Sequence, residues 1–201
     1  TEAQARKVVA DIVERANGEP LVFYSIEQWL NHWLSSKEEV RSKNTAMCYK
    51  SAVGNFLKFL GKKSANNLTL LTSKDIHDFR SSQKKSGLGN TTCNFLVKAI
   101  QNSLNAAMRQ GIIPMNPAAA IESLPKEKPV RQPFTLVQIK AMLKVASNEW
   151  RLAVLFGFYT GARLSDIANI TWDFVNFENG IICFAAGKTK KRTTIPLHAQ
   201  L

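Results

Sequence analysis

Residues 160–166 read T-G-A-R-L-S-D, and they close the apolar run W-R-L-A-V-L-F-G-F-Y of residues 150–159. The run is apolar nearly all round, which predicts a central, buried helix from about Glu149 to Tyr159, ended by Gly161. A short helix is expected next, from about Arg163 to Asn169, against the core. Arg163 is the anomaly, because a buried guanidinium is costly unless it is paired or holds an anion. Two readings fit: a helix-entry arginine pairing with Asp166 three residues on, or a guanidinium offered to a phosphate with Asp166 orienting it. A planar fork of donors suits phosphate oxygens.

Further along, residues 185–192 read A-A-G-K-T-K-K-R. The G-K-T within it is not a nucleotide-binding loop. That loop requires a glycine at position 182, which is Ile182, and a helix afterwards; here R-T-T-I-P-L follows, a strand with a proline. Segments 171–177, 181–186 and 192–197 are rich in Val, Ile, Phe and Thr, and Asn179-Gly180 supplies a hairpin turn. They predict a small antiparallel sheet. Lys188 then sits near a β-turn among Lys190, Lys191 and Arg192. It is either part of a solvated basic hairpin that touches phosphates or a lysine aimed at one defined oxygen.

Upstream the pattern is helical. Residues 2–16 carry an apolar stripe at helical spacing, stopped by Gly18 and Pro20. Ser25 and Gln28 have capping-box spacing and open a helix through about Ser35, with Ile26, Trp29, Leu30, Trp33 and Leu34 inward. A second helix spans about Asn44 to Leu60, with Tyr49, Val53, Phe56, Leu57 and Leu60 inward and Lys43, Lys50, Lys58, Lys62 and Lys63 outward. A third runs from Thr72 to about Lys85. A fourth runs from about Thr91 to Gln110, with Phe95, Leu96, Ile100, Leu104 and Ala107 on one face. The expected organisation is an N-terminal segment 1–23, a four-helix unit 24–122, a Pro- and charge-rich linker 123–133, and a second unit 134–201 that begins with helices and continues as the sheet. The fold class is mainly α, with an α+β second unit. Extended, its nine residues P-K-E-K-P-V-R-Q-P, 125–133, reach roughly 30 Å.

The chain carries 27 Lys plus Arg against 15 Asp plus Glu, a net charge of +12. Residues 24–122 hold +7 of it and residues 123–201 hold +6, while residues 1–23 sum to −1. Two basic units on one linker point to a polyanionic partner, gripped from two sides. No apolar stretch has the length of a membrane span. Three scattered cysteines without a C-x-x-C speak for thiols in a reducing cytoplasm, not disulfides or zinc ligands. Candidate duplex contacts are Lys43, Asn44 and Thr45 at the start of the second helix, Lys50 on its outer face, Asn90, Thr91 and Thr92 at the start of the fourth, and Lys190, Lys191 and Arg192 on the hairpin. Helix starts of this kind suit backbone phosphates, and ordinary capping is the alternative.

Together the two stretches resemble the tyrosine recombinase family of phage and mobile-element integrases. T-G-A-R-L-S-D is similar to the segment bearing that family's first catalytic arginine, here Arg163. G-K-T-K-K-R-T-T-I-P-L is similar to its lysine-bearing β-hairpin, here Lys188, and the separation of 25 residues is in keeping. L-T-S-K-D-I-H-D-F, G-L-G-N-T-T-C-N-F-L and A-M-R-Q-G-I-I-P-M-N-P-A resemble the helical, SAM-like core-binding domain of the same integrases. The resemblance implies strand cleavage and rejoining through a 3′-phosphotyrosyl link, without metal, ATP or other cofactor. Arg163 would neutralise charge on the phosphate, Lys188 would protonate the leaving 5′-oxygen, and Asp166 would support them. It implies double-stranded DNA as partner, no membrane, a homotetramer on DNA, and a bacterial cytoplasmic, nucleoid-associated location. The family's His-x-x-Arg pair and nucleophilic tyrosine do not follow the hairpin here. The expectation is therefore a piece of a longer enzyme, inactive by itself. The alternative is a non-catalytic, sequence-specific DNA-binding protein on the same scaffold.

Overall fold

A computed structural model describes residues 4–5, 8–9, 23–126, 132–188 and 191–201. The expected helix over 2–16 lies mostly outside the described residues. The chain divides into two units, Thr1–Pro129 and Val130–Leu201.

In the first unit the local signals decide where each helix begins. Ser25 Oγ accepts from Gln28 N at 3.1 Å and Ser25 N donates to Gln28 Oε1 at 2.9 Å, opening α1 (Ile26–Val40) with a reciprocal cap. Ser42 caps α2 (Lys43–Leu60), and Thr72 with Asp75 forms a second capping box on α3 (Ser73–Lys85). The fourth helix, α4 (Asn90–Arg109), buries Leu96, Ile100, Leu104 and Ala107 and is packed against by the other three. Trp29 is fully buried and its Nε1 donates to Ser103 O at 3.2 Å, so the indole enters the core without an orphaned donor. Phe56 and Phe79 meet edge to face at 5.0 Å, locking α2 to α3. Each large side chain buried this way contributes about 1.5–3 kcal/mol. Phe95, expected inward, is 41% exposed; its ring instead stacks on Tyr49 at 6.3 Å. Cys93 is buried, Cys183 half-buried and Cys48 exposed, and none is in a disulfide.

After α4 the chain folds back without regular structure. Asn116 is buried and staples the return: its Nδ2 donates to Gln101 O at 3.0 Å and Asn105 Oδ1 at 2.7 Å, while its Oδ1 accepts from Ala118 N at 2.8 Å. The expected linker begins differently from a free tether. Asn94 and Asn90 hydrogen-bond the backbone of Leu124 and Pro125, so this stretch lies along α4.

The second unit starts with α5 (Leu136–Val145), opened by a Thr135–Gln138 capping box, and α6 (Asn148–Thr160). A four-residue helix α7 (Leu164–Ile167) and a 3₁₀ turn (Trp172–Phe174) lead into a sheet of order β1-β2-β3. Strand β1 (Val175–Asn176) is shorter than the expected 171–177, because the 3₁₀ turn takes its first half. Strand β2 (Ile181–Ala185) pairs antiparallel with β3 (Arg192–Pro196), from Ile181 opposite Pro196 to Ala185 opposite Arg192. Ile182 and Phe184 alternate inward. The expectation of a buried, central α6 does not hold: α6 has no buried residue among those described. The described helices beside it in this unit, α5 and α7, with the His198 ring at its end, cover only part of its circumference, and apolar character alone does not supply a cover. Trp150, Leu152 and Leu164 therefore border an apolar groove of about 620 Å³ with Trp172 and Phe177.

Asp75 gives the fold a defined acid sensitivity. Burial pushes its carboxyl up, but hydrogen bonds from Lys63 Nζ (2.6 Å), Thr72 N (2.9 Å) and Thr72 Oγ1 (2.7 Å), with the Lys63 charge, outweigh this and hold it below the usual range. A depressed folded pKa contributes stability above the unfolded value, ~3.9, that fades as pH falls through the folded one. Asp75→Ala is expected to cost about 1–2 kcal/mol at pH 7. In urea titrations at successive pH values the gap to wild type should close on acidification.

Candidate functional site

The T-G-A-R-L-S-D stretch is a helix stop followed at once by a helix start. Thr160 Oγ1 donates to Phe156 O at 2.5 Å and accepts from Ala162 N at 3.1 Å, tying the last turn of α6 to the residue beyond it. Gly161, at φ 63°, takes the left-handed conformation that ends the helix and donates to Gly157 O at 3.0 Å. Arg163 is then the N-cap of α7, its carbonyl accepting from Asp166 N (2.8 Å) and Ile167 N (3.0 Å).

This placement inverts the expected burial. The Arg163 side chain is 53% exposed, not set against the core, and the buried charge is Asp166, whose side chain is 5% exposed. As cap residue, Arg163 lies outside the helical face that turns inward, while Asp166, a turn later, lies on it. Arg163 Nη1 stands 3.7 Å from Asp166 Oδ2, too far for a firm hydrogen bond. Among the described residues no other partner holds the guanidinium, so most of its five donors remain available.

Asp166 also reaches the second stretch. Its Oδ1 accepts from Gly187 N at 3.0 Å, joining α7 to the β2–β3 hairpin. A Cβ at Gly187 would come within 3.3 Å of that oxygen, closer than ordinary van der Waals contact, so glycine suits the approach. Lys188 is the next residue, exposed, and one Cα–Cα step of about 3.8 Å from Gly187. One carboxylate thus faces Arg163 through one oxygen and holds the backbone beside Lys188 through the other. Ala186 N donates to Lys191 O at 2.9 Å, pairing the hairpin just past the strands; Lys191 and Arg192 are exposed, and Lys190 lies outside the described residues. A further tie was not legible in the sequence. The Tyr159 and His198 rings stack at 3.9 Å and 16°, fastening the end of α6 to the segment after β3. Two aromatic residues so far apart in the chain give no local signal, and the contact of Gly187 with Asp166 likewise appears only in the structure.

In the first unit, Lys43, Asn44 and Lys50 are exposed on α2, and Thr91 and Thr92 are exposed on α4. Thr45 is half-buried and its Oγ1 lies 3.0 Å from the Ser42 cap, so its hydroxyl serves the helix start. The Tyr49–Phe95 stack joins the second turns of α2 and α4, which brings the opening turns of both helices to within about a turn and a half of one contact. Asn90 departs from the expected role: its Nδ2 donates to Pro125 O at 2.9 Å and its Oδ1 is buried without a partner. Its side chain is turned to the chain after Glu122, because the irregular return segment lies along that side of α4.

A helical unit followed by an α+β unit that ties an arginine to a lysine hairpin defines a class, the two-domain integrase scaffold. Residues 25–124 match the phage integrase SAM-like domain, and residues 133–201 match the phage integrase family. Tyrosine recombinase XerC of Xylella fastidiosa is 22% identical over 166 residues, covering 80% of this chain and 56% of that protein. Tyrosine recombinase XerA of Pyrococcus furiosus is 27% identical over 167 residues, covering 79% and 52%. The fold is similar to that of a lambda integrase dimer bound to a COC' core site, with a TM-score of 0.78 at 19% identity, covering 92% of this chain and 52% of that one. It is also similar to a Tn1549 transposon integrase in complex with circular intermediate DNA, with a TM-score of 0.69 at 16% identity, covering 88% and 61%. The chain belongs to the phage integrase family of tyrosine recombinases. It spans about half the length of these relatives. No helix among the described residues is long and apolar enough to cross a membrane.

Asp166→Ala should free the hairpin. The Gly187 amide is expected to lose its protection from hydrogen exchange while the amides of α4 keep theirs; unchanged Gly187 exchange would remove Asp166 from the link between the two stretches.

Proposed function

We propose that the protein to which this chain belongs cuts and rejoins DNA at specific sites through a 3′-phosphotyrosyl intermediate. The observation that carries the reading is the buried Asp166 carboxylate, which faces the Arg163 guanidinium and hydrogen-bonds the backbone next to Lys188. Membership of the tyrosine recombinase family supports it.

In this reading the Arg163 fork binds non-bridging oxygens of the scissile phosphate and stabilises the charge that grows there as the tyrosine attacks. The bond from phosphorus to the 5′-oxygen breaks as the bond to the tyrosine oxygen forms, and the Lys188 ammonium gives the departing oxygen its proton. A free 5′-hydroxyl later returns that proton and reverses the step. Bond energy is conserved in the phosphotyrosyl link, so no nucleotide is consumed. Asp166 touches no reacting atom and acts by position. Lys43, Asn44, Lys50, Thr91 and Thr92 contact backbone phosphates from the first unit, and Lys191 and Arg192, with Lys190, do so from the hairpin. Double-stranded DNA is the partner. A lambda integrase forms a tetramer bound to a Holliday junction, and four copies on DNA are the assembly proposed here.

Two measurements test this. Duplex affinity of the chain should fall steeply with salt, with log K linear in log[salt]; salt-independent or absent binding overturns the DNA reading. In the whole protein, Arg163→Ala should abolish cleavage of a nicked suicide substrate with near-native gel-shift affinity, and Lys188→Ala should slow cleavage by about 10²–10⁴-fold. Equal losses of binding and cleavage in both variants would assign the pair to general DNA contact, as in a non-catalytic binding protein.

A further inference from the structure

The chain between Asn116 and Pro125 lacks regular structure after its first turn, yet side chains of α3 and α4 meet its backbone at one position after another. Ser73 Oγ donates to Pro117 O at 2.6 Å, Gln101 Nε2 to Ala118 O at 3.3 Å, and Arg80 Nη1 to Glu122 O. The series ends in a two-sided pair. Asn94 Nδ2 donates to Leu124 O at 2.8 Å, and Asn94 Oδ1 accepts from Leu124 N at 2.8 Å. One turn earlier on α4, Asn90 Nδ2 donates to Pro125 O at 2.9 Å. Residues four apart share a helix face, so the two amides form one row along α4. A side-chain amide that pairs with both polar groups of one residue fixes the direction of that residue as well as its position.

We infer that Asn94, assisted by Asn90, is a positioning residue that fixes where and in which direction the interdomain linker leaves the first unit. The exit lies on the first two turns of α4, the turns that carry Thr91 and Thr92 and that the Tyr49–Phe95 stack joins to α2. The linker is thereby launched from the part of the unit proposed to meet DNA. The role rests on the DNA-gripping function proposed above: when two units on one tether bind one duplex, the tether's length and starting point set the local concentration of the second unit once the first is bound. Without the clamp, the last side-chain hold is Arg80 on Glu122. The tether then gains about three residues, roughly 10 Å of reach, and its direction is no longer set.

The test uses the full chain. In wild type the Leu124 amide should be protected from hydrogen exchange, and in Asn94→Ala it should exchange at least about tenfold faster. Asn94→Asp keeps the size and the acceptor but loses the donor to Leu124 O, and intermediate protection is expected; if the alanine variant does not fold, this one decides. Duplex affinity of Asn94→Ala should fall by about twofold or more, with the salt slope unchanged because no phosphate contact is lost. The inference is overturned if Leu124 exchanges equally fast in wild type and variants. It is also overturned if protection is lost with native affinity, or if the salt slope drops by about one, which would make Asn94 a phosphate contact. If wild type shows no salt-dependent duplex binding, the function proposed above fails and the positioning role fails with it; the Leu124 data then still report whether the clamp exists.

Discussion

The second unit is organised around a carboxylate taken out of water. Asp166 is the one charged group that the structure buries among the described residues, and burial of a charge is tolerated only where it is matched by donors. Those donors come from two separate stretches, the Gly187 amide at 3.0 Å and, more loosely, the Arg163 guanidinium at 3.7 Å. The consequence is geometric. A short helix and a hairpin separated by more than twenty residues are held in one register by a group that neither could satisfy alone. Removing the acid leaves the hairpin turn without its anchor, and removing the amide leaves the buried carboxylate only the looser Arg163 contact.

The first unit solves a different problem, with amides in place of charges. Its core is a bundle of aromatic and branched side chains around α4, but the chain that leaves α4 must cross that core's surface without a helix or strand of its own. Asn116, Gln101, Asn94 and Asn90 meet the backbone where regular secondary structure would have done so, and Asn105 Oδ1 holds the Asn116 amide. The result is an ordered return path whose polar groups are largely satisfied. Among the described residues Ser103 Oγ and Asn90 Oδ1 are buried without partners, one in the core and one beside the return path.

What the sequence made legible follows from range. Capping boxes at Ser25, Thr72 and Thr135 are written within four residues, and the helices begin where those boxes place them. The sheet was readable from the Val-, Ile-, Phe- and Thr-rich segments and from the Asn179-Gly180 turn between β1 and β2. Interactions between distant segments were not. The apolar run of α6 looked central because pattern reports composition, whereas burial depends on which elements arrive to cover it. The same limit reversed Arg163 and Asp166: the sequence placed a cation and an anion three residues apart, and only the cap geometry decides which one turns inward. Asn90 read as a helix-start residue open to phosphate, because the Pro125 carbonyl that takes its amide lies 35 residues away. The Arg163 and Lys188 stretches were recognisable as partners from their order and spacing, but the group joining them was visible only as a neighbouring acid of unknown reach.

The three cysteines give the molecule a built-in gauge of local opening. Cys48 stands on the outside of α2, Cys183 shares its half-buried place in β2 with Thr194 Oγ1 at 3.3 Å, and Cys93 is sealed inside α4. An alkylating reagent therefore meets thiols at three depths. The outermost reacts with the intact chain, the middle one as the sheet frays, and the innermost only when the bundle itself comes apart, so the order of modification ranks the cooperative units of the fold without any introduced probe.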